Sequence, residues 1–246
     1  MYRSTMSSIR LHPENGDAPS RANIVQIRDL LGQRFPQVRM TLTEKPPSRP
    51  CFTTGLPQMD GLLQGGLPKG AVTELVSPDS SGGGALALRR FVRIAGQERR
   101  RMALVDGSDG FDPCALNNQL LAGLLWVRCR EAAQALKATD LLLRDGNLPL
   151  VILDLHHNPA AQLRKIPGTT WYRLQRIIEP TPTALLVMTP RALVSSAEAR
   201  LSLANQFTLG SWEQTEEELI SRMKFVLQSR LAGAATEVHE PVAEMG

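Results

Sequence analysis

The sequence AVTELVSPDSSGGGA, residues 71–85, contains a short apolar run followed by a glycine-rich segment. The run 71–76 is typical of a strand buried on both faces of a sheet. Apolar spacing over 85–97 predicts a helix directly after the glycines. Strand, glycine-rich loop and helix start predict a phosphate-binding loop, because backbone N–H groups and the helix dipole would face an anion. Its candidate residues are Ser80, Ser81, Gly82, Gly83 and Gly84.

The loop lacks the side chains that a working P-loop needs. That motif has a first glycine, four further residues, Gly-Lys, and then Ser or Thr; the lysine binds the β- and γ-phosphates and the hydroxyl binds Mg²⁺. Here Ser77 replaces the first glycine, Gly83 the lysine, and Gly84 the hydroxyl residue. A plain connecting loop and a vestigial phosphate loop are both compatible with these residues.

Strands and helices alternate along the following part of the chain. This alternation predicts an α/β fold, a mostly parallel sheet flanked by helices on both faces. Beyond the run at 71–76, strands are predicted at 102–106, 124–127, 150–155, 184–188 and 206–210. Helices are predicted at 85–97, 130–144, 170–178 and 195–205, with a further helix start at Asp112–Pro113. Ligands of such sheets bind beyond the carboxyl ends of the strands.

Composition divides the chain into four parts. We expect a disordered start, a short helix and a Pro-rich linker over 1–50, a core over 51–212, an amphipathic helix over 213–232 and a disordered tail over 233–246. Thr215 and Glu218 form the pattern of a capping box at the start of the C-terminal helix. Each terminal helix could pack on the core or dock on a partner. The partner-binding candidates are Ile24, Ile27, Leu30, Leu31, Leu219, Met223 and Leu227.

Charge is distributed unevenly. Seven acids and three bases follow position 212, so the first 212 residues carry a net charge of +8 within a total of +4. Arginines cluster at 89, 90 and 93 and at 99–101. They are compatible with a basic surface that meets an acidic partner or makes a weak, nonspecific contact to DNA, or with an ordinary solvated helix face. Three cysteines without CxxC spacing, no secretory signal and no long apolar run favour a cytoplasmic protein without a membrane span.

The opening of the core resembles the RecA recombinase family. The matching residues are FTTGLPQMD at 52–60, GGLPKG at 65–70 and the strand and loop that follow. Weaker similarity continues through 105–113, LVILDL at 150–155 and ALLVM at 184–188, so that it covers about 52–210. The resemblance implies a RecA-like core in which Asp154 is the remaining Walker B-like carboxylate.

Four groups on which a RecA ATPase depends are absent. Besides the lysine and the hydroxyl, Ser108 stands where the family has its catalytic glutamate, and Pro190 stands near its γ-phosphate-sensing glutamine. Phosphoryl transfer relies on such positioning and electrostatic groups. We therefore expect a pseudo-ATPase with no catalytic residue, no cofactor and no metal. A divergent ATPase that uses Lys69 or an arginine instead is the enzyme alternative.

The stretches LLWVR at 124–128, EAAQAL at 131–136 and LVILD at 150–154 are similar to ImuA-type proteins, RecA-like accessory proteins of damage-induced mutagenesis. That resemblance implies binding to RecA and to an ImuB-type, inactive Y-family polymerase partner, in support of error-prone translesion synthesis. A SulA-like division inhibitor that binds FtsZ is the alternative. His156 and His157 lack a third ligand at metal-site spacing. The tryptophans are Trp126, Trp171 and Trp212. They could stack on bases, but burial in the core is the expected role of two of the three.

Overall fold

A computed structural model describes residues 50–78, 82–204, 207 and 209–230 of the protein. The predicted N-terminal helix, with Ile24, Ile27, Leu30 and Leu31, lies outside these residues, as do nearly all of the predicted linker and the whole C-terminal tail. In the described part, no helix is long and apolar enough to cross a membrane.

The described elements alternate in type along most of the chain. The strands are β1 (Cys51–Phe52), β2 (Leu67–Pro68), β3 (Ala71–Val76), β4 (Met102–Asp106), β5 (Leu124–Arg128), β6 (Leu150–Asp154), β7 (Ala184–Thr189), β8 (Ala199–Leu203) and β9 (Phe225–Arg230). The helices are α1 (Pro57–Leu62), α2 (Gly83–Gln97), α3 (Asn118–Leu121), α4 (Ala132–Asp145), α5 (Ala160–Leu163), α6 (Gly168–Ile178) and α7 (Glu216–Ser221).

The main sheet has seven strands in the order β5-β4-β6-β7-β3-β8-β9. All neighbours pair in parallel except β8 and β9, which are antiparallel. β1 and β2 form a separate antiparallel pair. The predicted fold class, a mostly parallel α/β sheet, is confirmed. Because the carboxyl ends of β3, β4, β6 and β7 lie side by side, the loops after these strands meet at one edge.

Apolar side chains on both faces explain why the central strands are buried. Leu75, Leu104 and Ile152 point into a cluster that also contains residues of α1 and α2. Their sequence neighbours on the same strands, such as Val105 and Leu153, pack into a second cluster with α4 and α6. Alternate residues of one strand thus serve opposite faces, and the continuous apolar runs that predicted these strands follow from it.

The predictions for the central strands and for the helices at α2, α4 and α6 are confirmed to within a few residues at each end. The helix start predicted at Asp112–Pro113 is wrong. Helix α3 begins later, capped by Asn117, whose Oδ1 accepts a hydrogen bond from Leu120 N at 3.0 Å. Asp112 instead accepts from Cys114 N at 2.9 Å in a turn, so its capping pattern is satisfied locally.

The helix predicted over 195–205 is also wrong, and the strand predicted over 206–210 is not formed by the described residues of that segment, 207, 209 and 210. Strand β8 lies within the first segment and pairs with β3. Its residues alternate between buried and half-buried, with Ala199, Leu201 and Leu203 buried, which is the period of a strand rather than of a helix. In the second segment, a 3₁₀ turn begins at Leu209 and extends to Glu213.

The C-terminal helix predicted over 213–232 is much shorter than expected. The predicted capping box of Thr215 and Glu218 is present and starts α7, but the helix ends at Ser221. The chain then forms β9, which pairs with β8. Burial of Met223 and Phe225 against the core competes successfully with helix continuation. The side chain of Gln58 accepts a hydrogen bond from Phe225 N at 3.1 Å and fixes the start of the strand.

Candidate functional site

The candidate site lies where β3, β4, β6 and β7 end. The glycine-rich loop leaves β3, and Asp106 and Asp154 are the last residues of β4 and β6. These two carboxylate residues are paired in the sheet register, so they stand side by side on neighbouring strands. The structure thus brings together the loop glycines and the Walker B-like aspartate of the sequence analysis, and it adds Asp106.

Three of the predicted loop residues lie at the junction between β3 and α2. Gly82 has φ of 63° and precedes the helix as its N-cap, without a side-chain capping bond. Gly83 and Gly84 are the first helical residues and are buried. Ser80 and Ser81 lie outside the described residues. The strand–glycine–helix arrangement predicted from the sequence is therefore present, and the first two helical residues are buried.

The space beside Gly83 is filled by a side chain from β8. A Cβ atom at position 83 would overlap the Cδ2 methyl of Leu203 and would lie 3.3 Å from its Cγ. It would also lie 3.4 Å from Cε2 of Phe207. Leu203 itself is buried in the main apolar cluster. A lysine at position 83 would therefore meet packed apolar side chains before it could reach a phosphate.

The space beside Gly84 is narrow for a different reason. A Cβ at position 84 would lie 3.1 Å from Ser77 Oγ and 3.3 Å from Cε1 of His156. Distances of this kind are tighter than ordinary van der Waals contact, so a threonine here would have to displace a neighbour. His156, the second residue after β6, is buried. The imidazole thus stands beside the position at which a P-loop carries its Mg²⁺-binding hydroxyl.

Asp154 is a buried carboxylate at the end of β6. Its Oδ1 accepts a hydrogen bond from His156 N at 2.9 Å. Burial raises the pKa of Asp154 above its usual value, and the hydrogen bond from His156 N and the nearby imidazole partly oppose this rise. The neighbouring Asp106 adds a like charge that also raises the pKa. Asp154 is consequently held in surroundings that disfavour its charged form.

A small cavity lies next to Asp154. It has a volume of about 90 Å³, and the described residues that bound it include Arg89, Asp112, His156 and His157. Pockets for drug-sized ligands and cofactors are about 300–1,000 Å³. The two imidazoles contact each other, with 3.4 Å between His156 Nδ1 and His157 Nε2. The cavity can hold a few waters rather than a nucleotide.

Asp106 was assigned no role by the sequence analysis, yet it organises the loop after β4. Its Oδ1 accepts from Ser108 N at 3.3 Å and from Gly110 N at 3.0 Å. Its Oδ2 accepts from Phe111 N at 2.9 Å and from Trp126 Nε1 at 3.3 Å. Since both oxygens are occupied by protein donors, Asp106 has a structural role here. Ser108, which the RecA resemblance aligned with the catalytic glutamate, belongs to this same hydrogen-bonded loop.

A second buried carboxylate was also missed. Glu74, in the middle of β3, accepts hydrogen bonds through Oε1 from Thr189 Oγ1 at 2.9 Å and from Leu193 N at 2.7 Å. Its Oε2 pairs with Arg200 Nε at 2.5 Å. The pair links β3, the end of β7 and β8. The only sequence signal was a charged residue inside an apolar run, and its partner lies 126 residues further along the chain.

The opening motif at 52–70, on which the RecA resemblance depends, is held together by hydrogen bonds and close packing within the motif itself. Asp60 Oδ1 accepts from Thr54 N at 2.9 Å and from Thr54 Oγ1 at 2.8 Å, and Oδ2 accepts from Gly55 N at 3.3 Å. Gly66 has φ of 128°, and a Cβ there would overlap the carbonyl of Phe52. The motif therefore holds the entry to β3 and contributes no group to the candidate site.

The first arginine cluster is paired within the protein. Arg93 makes a two-point contact with Glu216, with Nε–Oε1 of 3.2 Å and a second N–O distance of 3.0 Å. Arg89 also pairs with Glu216 at 3.3 Å, and Arg90 pairs with Glu217 at 3.7 Å. In the second cluster, Arg100 contacts Glu98 and the ring of Phe52, while Arg99 and Arg101 are exposed.

The C-terminal partner-binding candidates pack against the protein's own core. Met223 is buried, and Leu219 and Leu227 are half-buried against the same apolar cluster. Of the tryptophans, Trp171 is buried and Trp126 is half-buried, where Arg128 lies 4.9 Å from its ring. Within the described residues, no three His, Cys, Asp or Glu side chains come together as a metal-binding group.

Fold and site together define a class of protein: a P-loop-type α/β domain in which a glycine-rich loop follows a central strand and an aspartate ends the strand two positions away. Comparison with known proteins narrows the class. The RecA N-terminal domain family matches residues 37–164, half of the chain, and the chain belongs to this family.

Curated relatives agree with this assignment. Over 106 residues the chain is 34% identical to DNA repair protein recA homolog 1, chloroplastic, of Arabidopsis thaliana, covering 42% of this chain and 24% of that protein. It is 35% identical over 107 residues to Protein RecA of Chlorobium chlorochromatii, covering 42% and 30% of the two chains. Protein RecA of Rhodospirillum rubrum is 35% identical over 92 residues, with 37% and 25% covered. The chain thus spans no more than about a third of the length of these relatives.

Proposed function

We propose that the protein is a non-catalytic, ImuA-like accessory member of the RecA family, with a degenerate Walker A loop, that acts in DNA damage tolerance. The observation that carries the proposal is that side chains of other segments fill the space beside Gly83 and Gly84. Leu203 lies where a P-loop lysine would extend, and His156 lies beside the position of the Mg²⁺-binding hydroxyl. Space that is filled in this way leaves no room for the lysine and the hydroxyl of a working P-loop, which favours a non-catalytic role.

The energetic argument concerns groups that act together. In phosphoryl transfer the lysine, the Mg²⁺ ligand, the base and the sensor glutamine stabilise one charge-rich transition state. Positions 83, 84 and 108 hold Gly, Gly and Ser, and Pro190 follows β7 where the glutamine belongs. Asp154 alone remains, and its burial disfavours the charged form that would hold Mg²⁺. We therefore expect no ATP turnover.

A role in DNA repair is supported by the family and by the Arabidopsis relative, which is a DNA repair protein. The ImuA-like stretches favour two protein partners, RecA and an ImuB-type, inactive Y-family polymerase, through which the protein would support error-prone translesion synthesis in the SOS response. Such a role places it in the cytoplasm. The N-terminal candidates Ile24, Ile27, Leu30 and Leu31 are the first residues to test as the RecA contact, since Leu219, Met223 and Leu227 pack on the core.

The test is a titration of the purified protein into RecA filaments on single-stranded DNA, with RecA's ATP hydrolysis as the readout. We expect a dose-dependent change while the protein alone hydrolyses no ATP and gives no heat of ATP–Mg²⁺ binding in calorimetry. An Ile27→Asp, Leu30→Asp double variant should lose the effect. A control Val226→Asp variant, at an exposed position outside the ImuA-like stretches, should keep it.

Three outcomes would overturn the proposal. ATP turnover by the protein alone would favour the divergent ATPase. The absence of both a RecA effect and a pull-down of RecA would remove the accessory role. Filamentous growth on overexpression in cells that lack RecA, together with binding to FtsZ, would favour the SulA-like division inhibitor.

A further inference from the structure

Helix α2 carries an arginine cluster, formed by Arg89, Arg90 and Arg93. The helix contains no Asp or Glu, so nothing within α2 offsets the positive charge of this cluster. Arg89 and Arg93 are about one helical turn apart, which is about 6 Å along the helix axis. The three side chains are between 20% and 34% exposed, and the short helix α7 lies beside them.

Two glutamates of α7 supply the carboxylates that pair with the cluster. Glu216 Oε2 lies 3.3 Å from Arg89 Nε and 3.0 Å from Arg93 Nη2, and Glu216 Oε1 accepts a hydrogen bond from Arg93 Nε at 3.2 Å. Glu217 pairs with Arg90 at 3.7 Å and is itself 72% exposed. One acidic helix thus contacts all three guanidinium groups.

Other acids near the cluster complete the balance of charge. Asp112 and Asp154 line the small cavity together with Arg89. Burial raises the pKa of Asp154, which favours its neutral form. With α7 in place, Asp112 and the two glutamates therefore balance the three arginines, and the cluster is not a positive surface. Its positive charge becomes available only when α7 leaves.

Helix α7 is weakly held, while the strands on either side of it are anchored independently. It has six residues, and a helix of this length is not stable on its own in water. None of its residues is fully buried; Leu219 and Ile220 are half-buried against the main apolar cluster. Ala204 N donates to Lys224 O at 2.8 Å, and β8 and β9 pair beyond this bond. Helix α7 can therefore leave the arginines while β8 and β9 stay paired.

We propose that the arginine cluster of α2 is a docking surface for an acidic helical segment of a partner protein, and that α7 occupies this surface until the partner displaces it. The occupant seen in the structure defines the chemistry: a capped helix with glutamates in its first turn, followed by Leu219 and Ile220 against the core. A partner segment of the same pattern replaces both the carboxylates and the apolar contacts. A nucleic acid supplies negative charge but no apolar side chains for the surface under Leu219 and Ile220. The proposal does not rest on the function proposed above.

The test uses the full chain and a fluorescein-labelled peptide with the sequence of residues 213–223, EQTEEELISRM. In the natural chain the peptide competes with α7, whose effective concentration is about millimolar, so fluorescence anisotropy should show weak binding. In a Glu216→Gln, Glu217→Gln variant the chain's own helix competes less, and the peptide should bind about tenfold more tightly. Adding Arg89→Gln and Arg93→Gln to this variant should abolish the gain.

A second readout follows α7 itself. Unlabelled peptide is added to the isotope-labelled natural chain, so that NMR detects the amides of the chain alone. At a peptide concentration several times the Kd, hydrogen exchange of the amides at 216–221 should become several-fold faster, because this helix leaves the core. Exchange in β9 should stay unchanged, because that strand remains paired with β8.

Two controls separate the cluster from a general effect of charge. The variant Glu131→Gln with Glu179→Gln makes the same change in net charge at exposed positions outside α2 and α7, and it should bind the peptide as weakly as the natural chain does. A peptide with Gln in place of its first-turn glutamates should gain nothing in the Glu216→Gln, Glu217→Gln variant. Each variant is first checked for an unchanged unfolding midpoint. If the double arginine change lowers it, Arg93→Gln alone is used, with an expected loss of about threefold.

Several results would overturn the proposal. The first is equal affinity of the peptide for the natural chain and for the Glu216→Gln, Glu217→Gln variant. The second is a gain in affinity that persists when Arg89 and Arg93 are replaced. A single-stranded oligonucleotide that binds this variant more tightly than the peptide, and is lost with the same arginine changes, would assign the cluster to nucleic acid instead. Sedimentation of the natural chain as a dimer that the peptide dissociates would assign it to α7 of a second copy.

Discussion

Replacing Gly83 by alanine tests whether Leu203 fills the lysine position of the phosphate loop. In a helix, alanine is favoured over glycine by up to about 1 kcal/mol, so without a clash the substitution should be neutral or stabilising. In this structure the new methyl group would overlap the Leu203 Cδ2 methyl and lie 3.3 Å from its Cγ. Overpacking of a well-filled core costs about 1–3 kcal/mol. We therefore expect Gly83→Ala to lower the free energy of unfolding by about 1–2 kcal/mol.

Guanidinium-induced unfolding, followed by circular dichroism, measures this free energy through the transition midpoint and slope. Gly61→Ala is the matched control, because Gly61 lies within α1 and a Cβ there would meet nothing within 4 Å. It should be neutral or slightly stabilising. Leu203→Ala alone should cost about 2–5 kcal/mol through the cavity it creates. In that background, adding Gly83→Ala should cost nothing, which gives a coupling of more than about 1 kcal/mol between the two sites.

A Gly83→Ala variant as stable as the natural chain, or more stable, would refute this reasoning. So would strictly additive effects of Gly83→Ala and Leu203→Ala, since additivity is expected of sites that do not touch. In either case the lysine position would be open, and the support that the filled loop gives to a non-catalytic role would disappear.

Three further predictions concern the buried carboxylates. Glu74→Ala should lower the free energy of unfolding by about 3 kcal/mol, because it leaves Arg200 without its carboxylate partner. Adding Arg200→Met in that background should recover part of the loss. An effect of Glu74→Ala below about 0.5 kcal/mol in urea unfolding would contradict the structural role of Glu74. Asp106→Ala should lower the free energy of unfolding by about 2–4 kcal/mol in the same assay, since it removes a charged acceptor from four donors. Unchanged stability would show that the loop after β4 keeps its structure without this carboxylate. Asp154 has a raised pKa in the folded state, so its contribution to stability is fully present below its unfolded pKa near 3.8 and is lost as pH rises through the folded value. The free energy of unfolding of the natural chain relative to Asp154→Asn should thus fall as pH rises above about 4, and a difference independent of pH would show that the pKa is not raised.

Continuous apolar runs made most of the sheet predictable. Runs such as 71–76 and 150–154 are buried on both faces, so their composition alone distinguishes them from exposed segments. The errors lie in segments whose apolar spacing fits either a helix or a strand, so that strand pairing decides between them. Residues 199–203 and 225–230 contain apolar positions that fit a helix as well as a strand, and only their pairing with each other and with β3 decides the outcome. Such pairing joins residues that are far apart in the chain, so it cannot be predicted from the sequence of either segment alone.

The position of the candidate site could be predicted from the sequence, but the side chains that pack beside its glycines could not. The glycines at 82–84 and the aspartate at 154 followed from spacing and from the RecA resemblance. Leu203 and His156 could not be assigned to the loop, because one comes from a strand that was predicted as a helix and the other was considered only as a metal ligand. Neither Asp106 nor Glu74 was assigned a role from the sequence. Their partners, such as Trp126 and Arg200, become neighbours only in the folded sheet.

The contact between Gly83 and Leu203 also has a consequence for the changes by which this loop could acquire a lysine. A Gly83→Lys change arriving first meets a filled space and costs stability before any phosphate can be bound. A change in β8 arriving first opens a cavity in the core and is costly by itself. Each of the two changes therefore lowers stability when made alone, and only the two together give a lysine at position 83 the space that it needs. Packing between Leu203 of β8 and Gly83 thus resists the introduction of a lysine by single changes, because only a concerted pair of changes avoids the loss of stability.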